Sequence, residues 1–196
     1  MYNSIEIEAK VLLNKEQYDK LYKFLKMDDT MSFTQANYYI DSEDWDLKNN
    51  DIALRIRYVQ TQKRYVLTLK TPMSEGLLEK NQELKTSDAK KMIDENIFPE
   101  GEVKDFLELL EVDTSKLKIV AHMDTLRTEI RSEEKDEVIS LDQNTYGDRI
   151  DYELEVDKSG MALAQARITE LLTPLGIPVT FNTKSKQSRA IAACCK

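Results

Sequence analysis

Glu6-Ile7-Glu8-Ala9-Lys10 alternates charged and apolar residues, and Ile5 and Val11 continue the alternation on either side. In a β-strand alternate side chains share a face, so the two carboxylates and the ammonium lie on one side and the apolar residues on the other. Acids and a base on one strand face can hold both a metal ion and a phosphate. An ordinary antiparallel strand with one solvated face has the same pattern. The stretch therefore predicts a two-faced strand and leaves the environment of its charged face open.

The length and composition of the chain favour a single domain over residues 1–196. With 196 residues and 41% hydrophobic content, the chain can bury one sizeable core without a second domain. Its formal net charge of -8 argues against non-specific binding to nucleic acid or to an anionic membrane. A polyanionic substrate would therefore need a local basic pocket.

Cysteine content and hydropathy predict a cytoplasmic protein. The two cysteines, Cys194 and Cys195, are adjacent near the C-terminus, where they cannot cross-link the fold, so a reducing compartment is expected. Sulfur ligands for a metal are unexpected for the same reason. No apolar run approaches the ~20 residues of a membrane span, and the N-terminus lacks the apolar region of a signal peptide.

Hydrophobic periodicity predicts strands interrupted by a few helices. After the first strand, further strands are expected at 33–41, 52–59, 64–70, 77–85, 118–126, 128–132, 138–143 and 149–156. Helices are expected from the N-cap Asn14 to about Lys26, in two pieces between 87 and 110 broken near 99–101, and over 161–172 and 186–194. Polar turns are expected at 42–50 and 144–148. So many antiparallel strands predict an α+β fold on a large sheet, and closure into a barrel would remove its exposed edges.

Several of these strands repeat the alternation of the first one, with charges of both signs. The residues concerned are Arg55, Arg57, Arg64, Lys70, Glu83, Arg127, Glu129, Asp142, Glu153 and Glu155, followed near the C-terminus by Lys184 and Lys186. If their faces point outward, they form an ordinary solvated surface. If the sheet closes with these faces inward, it encloses carboxylates that can hold Mg²⁺ or Mn²⁺ and bases that can bind phosphate. Phosphoryl transfer requires this division, and the pattern alone leaves both alternatives open.

Other residues that often carry chemistry give little support to a different kind of site. His122 is the only histidine, so a histidine-based zinc site or catalytic triad is unexpected, and a role on the surface or in strand packing is favoured. The sequence contains no glycine-rich phosphate-binding loop. Trp45 lies in a polar turn, where it either covers a site as a lid or packs in a local cluster.

Short segments spread along the whole chain carry a family resemblance. Residues 6–10 have the pattern Glu-x-Glu-x-Lys, and they are followed by 37–41 (Asn-Tyr-Tyr-Ile-Asp), 54–57 (Leu-Arg-Ile-Arg), 67–70 (Leu-Thr-Leu-Lys), 126–129 (Leu-Arg-Thr-Glu), 152–155 (Tyr-Glu-Leu-Glu) and 182–186 (Asn-Thr-Lys-Ser-Lys). In this order the segments resemble the CYTH superfamily, also called the triphosphate tunnel metalloenzymes. That superfamily includes class IV adenylyl cyclases and thiamine triphosphatases.

The resemblance implies an α+β fold in which an eight-stranded antiparallel β-barrel forms a tunnel, with helices outside and a triphosphate bound within. By position, the phosphate-binding bases would be Lys10, Arg55, Arg57, Lys70, Arg127 and Lys184. The ligands of one divalent ion would be Glu6, Glu8, Glu153 and Glu155, while Glu83, Glu129 and Asp142 would contribute to a second metal or orient water. Tyr39 would face the tunnel and contact Lys10, and either of these two residues would transfer a proton to the leaving group.

We therefore expect a Mg²⁺- or Mn²⁺-dependent triphosphatase that cleaves inorganic triphosphate or an organic one, such as a nucleotide or thiamine triphosphate. The alternatives are a class IV adenylyl cyclase and a non-catalytic polyphosphate- or nucleotide-binding module. The expected partner is a small-molecule triphosphate, with neither nucleic acid nor membrane, and the sequence carries no signal for an oligomeric state. Because no base-binding motif is recognisable, inorganic triphosphate should be cleaved at least as efficiently as ATP.

Overall fold

The strands of the protein form one large sheet, around which the helices pack. The computed structural model describes residues 2–74 and 76–194. Its strands are β1 (Tyr2–Glu6), β2 (Glu8–Leu13), β3 (Ser32–Asp41), β4 (Ala53–Val59), β5 (Arg64–Pro72), β6 (Leu77–Leu84), β7 (Lys118–Ser132), β8 (Glu137–Tyr146) and β9 (Arg149–Asp157). Its helices are α1 (Lys15–Phe24), α2 (Asp46–Asn49), α3 (Thr86–Glu95), α4 (Glu102–Leu109), α5 (Met161–Leu172) and α6 (Lys186–Cys194).

The sheet curls into a nearly closed antiparallel barrel with one seam. Its strand order is β1-β6-β5-β4-β3-β7-β8-β9-β2, so the two edge strands are β1 and β2, which are consecutive in the chain and separated only by Ile7. The chain therefore divides one extended segment between the two edges of the sheet. Counted through Ile7, the barrel has the eight strands that the resemblance implies. The described residues form nine strands because β1 pairs with β6 while β2 pairs with β9.

The division of the first strand coincides with a close approach of the β5–β6 turn. Gly76 has a φ of +76°, and a Cβ atom placed there would lie 2.5 Å from the carbonyl oxygen of Glu6 and 2.9 Å from Cγ1 of Ile7. Only glycine combines this φ with so little space. The turn can therefore lie directly against the point where the chain passes from one edge of the sheet to the other.

The apolar faces of the strands point out of the barrel and are covered by helices. Val11 and Leu154 belong to one buried cluster with Leu21 of α1 and Ile168 of α5. A second cluster joins β4 and β5 to α3 and α4, and it includes Leu54, Ile56, Leu67, Met92 and Leu107. A third cluster, which includes Tyr39 and Met123, lies instead on the inner faces of β3 and β7, against α6. Because the apolar residues occupy the outer face, the charged residues that alternate with them face the interior, not solvent outside the barrel.

Most predicted elements are found close to their expected bounds. Asn14 caps α1, since its side chain accepts a hydrogen bond from the backbone of Gln17 while the Gln17 side chain accepts one from the backbone of Asn14. Helices α5 and α6 have the predicted limits. The predicted break between strands at residue 127 is wrong: β7 continues through Arg127, which pairs with Phe33 of β3 and with Asp142 of β8. Because β7 pairs with β3 on one side of Arg127 and with β8 on the other, the backbone of this residue stays extended.

The predicted turn at 144–148 is shorter than expected. Strand β8 extends to Tyr146, which pairs with Arg149 of β9, so only Gly147 and Asp148 remain in the turn. Gly147 has a φ of +56°, the left-handed conformation that a two-residue hairpin turn favours.

The polar segment at 42–50 contains the short helix α2. The buried carboxylate of Asp41 accepts hydrogen bonds from the backbone N–H groups of Ser42, Leu47 and Lys48, which fixes the start of this segment. Trp45 packs in the third cluster, against α6. The structure therefore supports a local packing role for Trp45, not a lid.

Three further expectations concern the outside of the molecule. His122 is exposed on β7, with its ring 4.8 Å from that of Tyr38, which agrees with a surface and strand-packing role. Cys194 carries an exposed free thiol, and Cys195 lies outside the described residues. In the part of the chain that the structure describes, no helix has the length and apolar character needed to cross a membrane.

Candidate active site inside the barrel

A cavity of about 120 Å³ lies inside the barrel, between the strands and the start of α6. Its charged lining residues are Glu6, Glu8, Lys10, Arg55, Arg57, Lys70, Arg127, Glu155 and Lys186, and Tyr39, Thr68, Ser185 and Gln187 add polar groups. Six of the charged residues are basic and three are acidic. In a chain with a net charge of -8, this cavity is a local basic site that favours a polyanion.

Lys10 and Lys70 are ion-paired to carboxylates at the seam of the barrel. Nζ of Lys10 lies 2.6 Å from Oε1 of Glu8, and Lys70 contacts both Glu6 and, at 3.2 Å, Glu79. Burial and the nearby Glu8 raise the pKa of Glu6. Burial also opposes ionisation of Glu8, but the surrounding lysines outweigh it and leave the pKa of Glu8 below its ordinary value. The two neighbouring carboxylates therefore differ in how readily they hold a proton.

Glu79 occupies an interior position that the sequence analysis missed in favour of Glu83. Strands β5 and β6 pair so that Lys70 lies opposite Glu79, whereas Glu83 lies opposite Val66, near the end of β6. Burial opposes ionisation of Glu79, yet the charge of Lys70 lowers its pKa to about 2. Glu83 is exposed, and its described ion pair is with Arg64 at 3.9 Å. The register of the β5–β6 hairpin was the signal that could have found Glu79.

Arg127 and Lys186 meet a second group of carboxylates. Arg127 donates two hydrogen bonds to Asp142, at 2.8 and 2.7 Å, and one to Glu155 at 2.5 Å. Nζ of Lys186 lies 2.7 Å from Asp142, 2.5 Å from Glu155 and 3.2 Å from Glu153. Burial opposes ionisation of Asp142 and Glu155, but these two cations hold both pKa values below their ordinary range. Asp142 and Glu153 lie behind the cavity lining, where they hold the bases that reach it.

Helix α6 is fastened to the barrel by Arg189. Its guanidinium donates hydrogen bonds to both oxygens of Glu153, at 3.0 and 2.7 Å, to Asp151 at 2.9 Å and to the backbone oxygen of Lys184 at 3.0 Å. The side chain of Lys184 is exposed and is not brought to the cavity. Lys186, at the start of α6, lies there instead. Arg189 was missed by the sequence analysis, although its position three residues after Lys186 puts the two on one helix face.

Arg55 and Arg57 differ from the other cavity bases because neither forms an ion pair with a described residue. Nε of Arg57 donates a hydrogen bond to Oδ1 of Asn37 at 3.0 Å. Nε of Arg55 is buried without a hydrogen-bond partner among the described residues. Burial, together with the charges of Arg55 and Arg127, lowers the pKa of Arg57 to about 9. The Arg57 cation therefore lies where positive charge is unfavourable, and an anion would relieve that cost.

Tyr39 and Glu129 were expected to take part in catalysis. Tyr39 lines the cavity as expected, but its hydroxyl donates to the sulfur of Met123 at 3.8 Å and not to Lys10. Burial raises the pKa of Tyr39, so its hydroxyl stays neutral. Glu129 lies outside the cavity lining, with Oε2 4.0 Å from Arg127.

The carboxylates of Glu6, Glu8 and Glu155 are the lining residues with the right chemistry for a divalent cation. Carboxylate oxygens suit Mg²⁺ or Mn²⁺. In the described part of the chain, no three acidic, histidine or cysteine side chains converge as a ready-made metal site. Each of these glutamates is instead engaged by a lysine or an arginine. The chemistry of these carboxylates suits a hard cation, and in this structure each of them is paired with a basic side chain.

The fold and the site together define the class of protein, an antiparallel β-barrel whose interior cavity is lined by charged and mostly basic side chains. The chain belongs to the CYTH domain family, which matches residues 4–182. It is 34% identical over 186 residues to the protein named "Putative triphosphatase YjbK" of Bacillus subtilis (strain 168), with 95% of this chain and 94% of the relative covered.

Solved structures show the same architecture. A crystal structure described as that of a "putative adenylate cyclase" from Bacillus halodurans has a TM-score of 0.87 and 34% identity, covering 96% of this chain and 98% of the other. A protein from Hippeastrum, described as a "putative adenylyl cyclase" with a dominant triphosphatase activity, has a TM-score of 0.75 over 93% of each chain. Its identity is 22%, so that likeness concerns the fold alone.

Proposed function

We propose that the protein is a divalent-metal-dependent triphosphatase that hydrolyses a small-molecule triphosphate inside the barrel. The observation that carries this proposal is the pair Arg55 and Arg57, two interior cations without an ion-pair partner among the described residues. A buried cation without a counter-ion destabilises the free protein, so its presence points to an anion supplied from outside. The net basic charge of the lining supports the same assignment.

Phosphate binding is assigned to the six basic residues of the lining. They are Lys10, Arg55, Arg57, Lys70, Arg127 and Lys186. This set keeps five of the six bases expected from the sequence and takes Lys186 in place of Lys184. The arginines offer forked donors to phosphate oxygens, whereas the lysines act as point charges. Six bases around one small cavity can engage several phosphoryl groups at once, which favours a triphosphate over a monophosphate.

Mg²⁺ or Mn²⁺ would be held by Glu6, Glu8 and Glu155, and when bound it would neutralise phosphate charge and lower the pKa of a coordinated water. Glu83 is left out of this ligand set because it is exposed beside Arg64. Asp142 and Glu153 are assigned a positioning role, since both are engaged by Lys186. Release of Lys10 from Glu8, and of Lys70 from Glu6, would make both ammonium groups available to phosphate oxygens.

Lys10 and Tyr39 are assigned to the stabilisation of the leaving group. Burial alone would lower the pKa of Lys10, but the charge of Glu8 raises it above the ordinary value, so the side chain stays cationic. It would stabilise negative charge on the departing phosphate. Tyr39 keeps its proton as well and can donate a hydrogen bond. Glu129, beside Arg127, would hold that arginine in place.

The name of the Bacillus subtilis relative supports hydrolysis, and the description of the Bacillus halodurans structure makes cyclisation the alternative to test. The purified protein would be assayed with inorganic triphosphate, ATP and thiamine triphosphate in the presence of Mg²⁺ or Mn²⁺. We expect the protein to release phosphate, and we expect this release to stop in excess chelator. Cyclic AMP with pyrophosphate would identify a cyclase, and tight binding without any product would identify a non-catalytic module.

A matched pair of arginine variants tests the site assignment in the same assay. Arg55→Gln should lower kcat/KM about thirtyfold or more, because the loss of a desolvated contact to phosphate costs about 2 kcal/mol. Arg149→Gln, at an exposed arginine in the β8–β9 hairpin, should leave kcat/KM within about twofold of wild type. Equal activity in the two variants would contradict the assignment.

A further inference from the structure

A chain of side-chain hydrogen bonds runs from β7 through β8 and β9 to helix α6. Oγ1 of Thr125 donates to Oδ1 of Asn144 at 2.8 Å, and Nδ2 of Asn144 donates to Oδ1 of Asp151 at 2.9 Å. The other oxygen of Asp151, Oδ2, accepts from the hydroxyl of Tyr146 at 2.5 Å and from Nε of Arg189 at 2.9 Å. The Asp151 carboxylate therefore joins two strands to the helix.

The groups that hold the Asp151 carboxylate are themselves fixed by burial. Thr125, Asn144 and Tyr146 are buried, and the Tyr146 ring packs in the third cluster with Ala190 and Ile191 of α6. Burial raises the pKa of Tyr146 to about 12, so its hydroxyl keeps the proton that it donates. Buried polar groups that are fully hydrogen-bonded have little freedom to move. The carboxylate therefore has a defined position relative to α6.

Arg189 connects Asp151 to the phosphate-binding base Lys186. Nη2 of Arg189 donates to Oε2 of Glu153 at 2.7 Å, and the same oxygen lies 3.2 Å from Nζ of Lys186. Nη1 of Arg189 donates to the backbone oxygen of Lys184, two residues before Lys186. The guanidinium is planar, so the bond from its Nε to Asp151 sets the direction of both Nη groups. A rotation of Arg189 would therefore disturb the contacts of Lys186 and of the backbone that leads to it.

We propose that Asp151 is a positioning residue, which orients Arg189 and thereby places the Lys186 ammonium where it contacts phosphate. This inference rests on the proposed function, in which Lys186 binds phosphate. The cavity lining includes Lys186 but neither Asp151 nor Arg189, so Asp151 acts through other residues and touches no substrate. Lysine carries its charge on a flexible four-carbon stem, and the ammonium is placed only as well as the backbone and acceptors that hold it.

A double-mutant cycle with Lys186→Gln tests the proposal, with kcat/KM for inorganic triphosphate as the measured quantity. Asp151→Ala should lower kcat/KM about tenfold or more, because a small displacement of a binding group is costly. In the Lys186→Gln background, Asp151→Ala should lower it by less than about twofold further, since no ammonium is left to position. Asp148→Ala, in the exposed turn of the same hairpin, is the matched control and should change kcat/KM less than about twofold in either background.

The cycle distinguishes positioning from a general contribution to the fold. If Asp151→Ala lowers kcat/KM by the same factor in both backgrounds, or in neither, the proposal is overturned, although the triphosphatase assignment stands. If circular dichroism shows that Asp151→Ala does not fold, Asp151→Asn takes its place. It keeps the size of the side chain and removes the charge that faces Arg189, and it should lower kcat/KM about threefold or more in the wild-type background alone.

A failure of the proposed function would be seen separately. If the wild-type protein hydrolyses no triphosphate, the same cycle is measured as affinity, by calorimetric titration with a bis-methylene analogue of inorganic triphosphate. Weaker binding in Asp151→Ala that disappears in the Lys186→Gln background would support the positioning role without turnover. Equal weakening in both backgrounds, or no binding by the wild-type protein, would overturn it.

Discussion

Arg127 and Asp142 face each other across the β7–β8 pair and are joined by two hydrogen bonds of 2.8 and 2.7 Å. Asp142 is fully buried and also meets Lys186, at 2.7 Å, so one carboxylate holds two of the cations that line the cavity. This side of the barrel interior is therefore an ordered set of ion pairs in the free protein. Under the proposed function, binding of a triphosphate would exchange some of these pairs for contacts with phosphate.

Asp142→Asn should destabilise the protein because it removes the carboxylate charge that compensates two buried cations. Breaking a buried ion pair on one side costs about 3 kcal/mol or more, since it leaves uncompensated charge inside the protein. Urea denaturation at neutral pH would measure the free energy of unfolding. Asp148→Asn, in the exposed turn after β8, should change that free energy by less than about 0.5 kcal/mol. A stable Asp142→Asn variant would mean that the pairing contributes little.

The carboxylate of Glu79 should make the unfolding free energy of the protein depend on pH in the acidic range. Its pKa in the folded protein is lowered to about 2, so its contribution is fully present above the unfolded value of about 4.3 and is lost as the pH falls through about 2. The shift corresponds to at most about 3 kcal/mol. Unfolding free energies measured between neutral pH and about pH 3 should therefore fall less steeply in Glu79→Gln than in the wild-type protein. Glu83→Gln, four residues along the same strand but exposed, should keep the wild-type slope.

Local alternation predicts that Arg55 and Arg57 share one face of their strand, and the family resemblance implies that this face points into the barrel. Leu54 and Ile56 alternate with these arginines, and once α3 and α4 cover the apolar face, the charged face has to point inward. The same reasoning identified Glu6, Glu8 and Lys10, whose strand differs from the prediction only in its division at Ile7. That division is set by which strands occupy the two edges of the sheet, and no local pattern encodes it.

The interior acids and the C-terminal lysine were harder to predict because they depend on register and on helix placement. Glu79 and Glu83 share one face of β6, and only the pairing with β5 decides which of them meets Lys70. Lys184 and Lys186 lie two positions apart, with Ser185 between them. The choice between them depends on where α6 begins and on the contacts that hold it.

Arg57→Gln should stabilise the free protein while weakening its affinity for triphosphate. Burial and the charges of Arg55 and Arg127 make the Arg57 cation unfavourable, so removing the charge should raise the unfolding free energy by about 1 kcal/mol. Thermal unfolding without ligand would detect the gain, and calorimetric titration with inorganic triphosphate would detect the loss of affinity. Arg149→Gln should alter neither quantity. A destabilised Arg57→Gln variant would instead indicate a structural role for the guanidinium.

Lys186→Gln and Lys184→Gln form a matched pair that tests which lysine of the C-terminal segment binds phosphate. The Lys186 ammonium lines the cavity, whereas the Lys184 side chain is exposed. We expect Lys186→Gln to lower kcat/KM at least thirtyfold, equivalent to about 2 kcal/mol of transition-state binding, and Lys184→Gln to stay within about twofold of wild type. Circular dichroism would verify that both variants fold. A larger effect at Lys184 would restore the assignment made from the sequence.

Metal binding should depend on Glu6 and not on Glu83, although the sequence alone made both of them candidate ligands. Glu6 lines the cavity beside Glu8, while Glu83 is exposed next to Arg64. Replacing a carboxylate ligand by an amide removes charge with little change in volume, so Glu6→Gln should weaken Mn²⁺ binding at least tenfold, whereas Glu83→Gln should bind Mn²⁺ as the wild-type protein does. Titration with Mn²⁺ followed by electron paramagnetic resonance measures the affinity directly, without reliance on turnover.

Metal and triphosphate binding should also be coupled through Lys70. Mn²⁺ has to displace Lys70 from Glu6, and the freed ammonium can then bind phosphate. A non-hydrolysable triphosphate analogue should therefore tighten Mn²⁺ binding in the wild-type protein. If the analogue leaves the Mn²⁺ affinity unchanged, the metal and phosphate sites are not coupled through the Lys70–Glu6 ion pair. If Glu6→Gln binds Mn²⁺ as tightly as the wild-type protein, Glu6 is not a metal ligand.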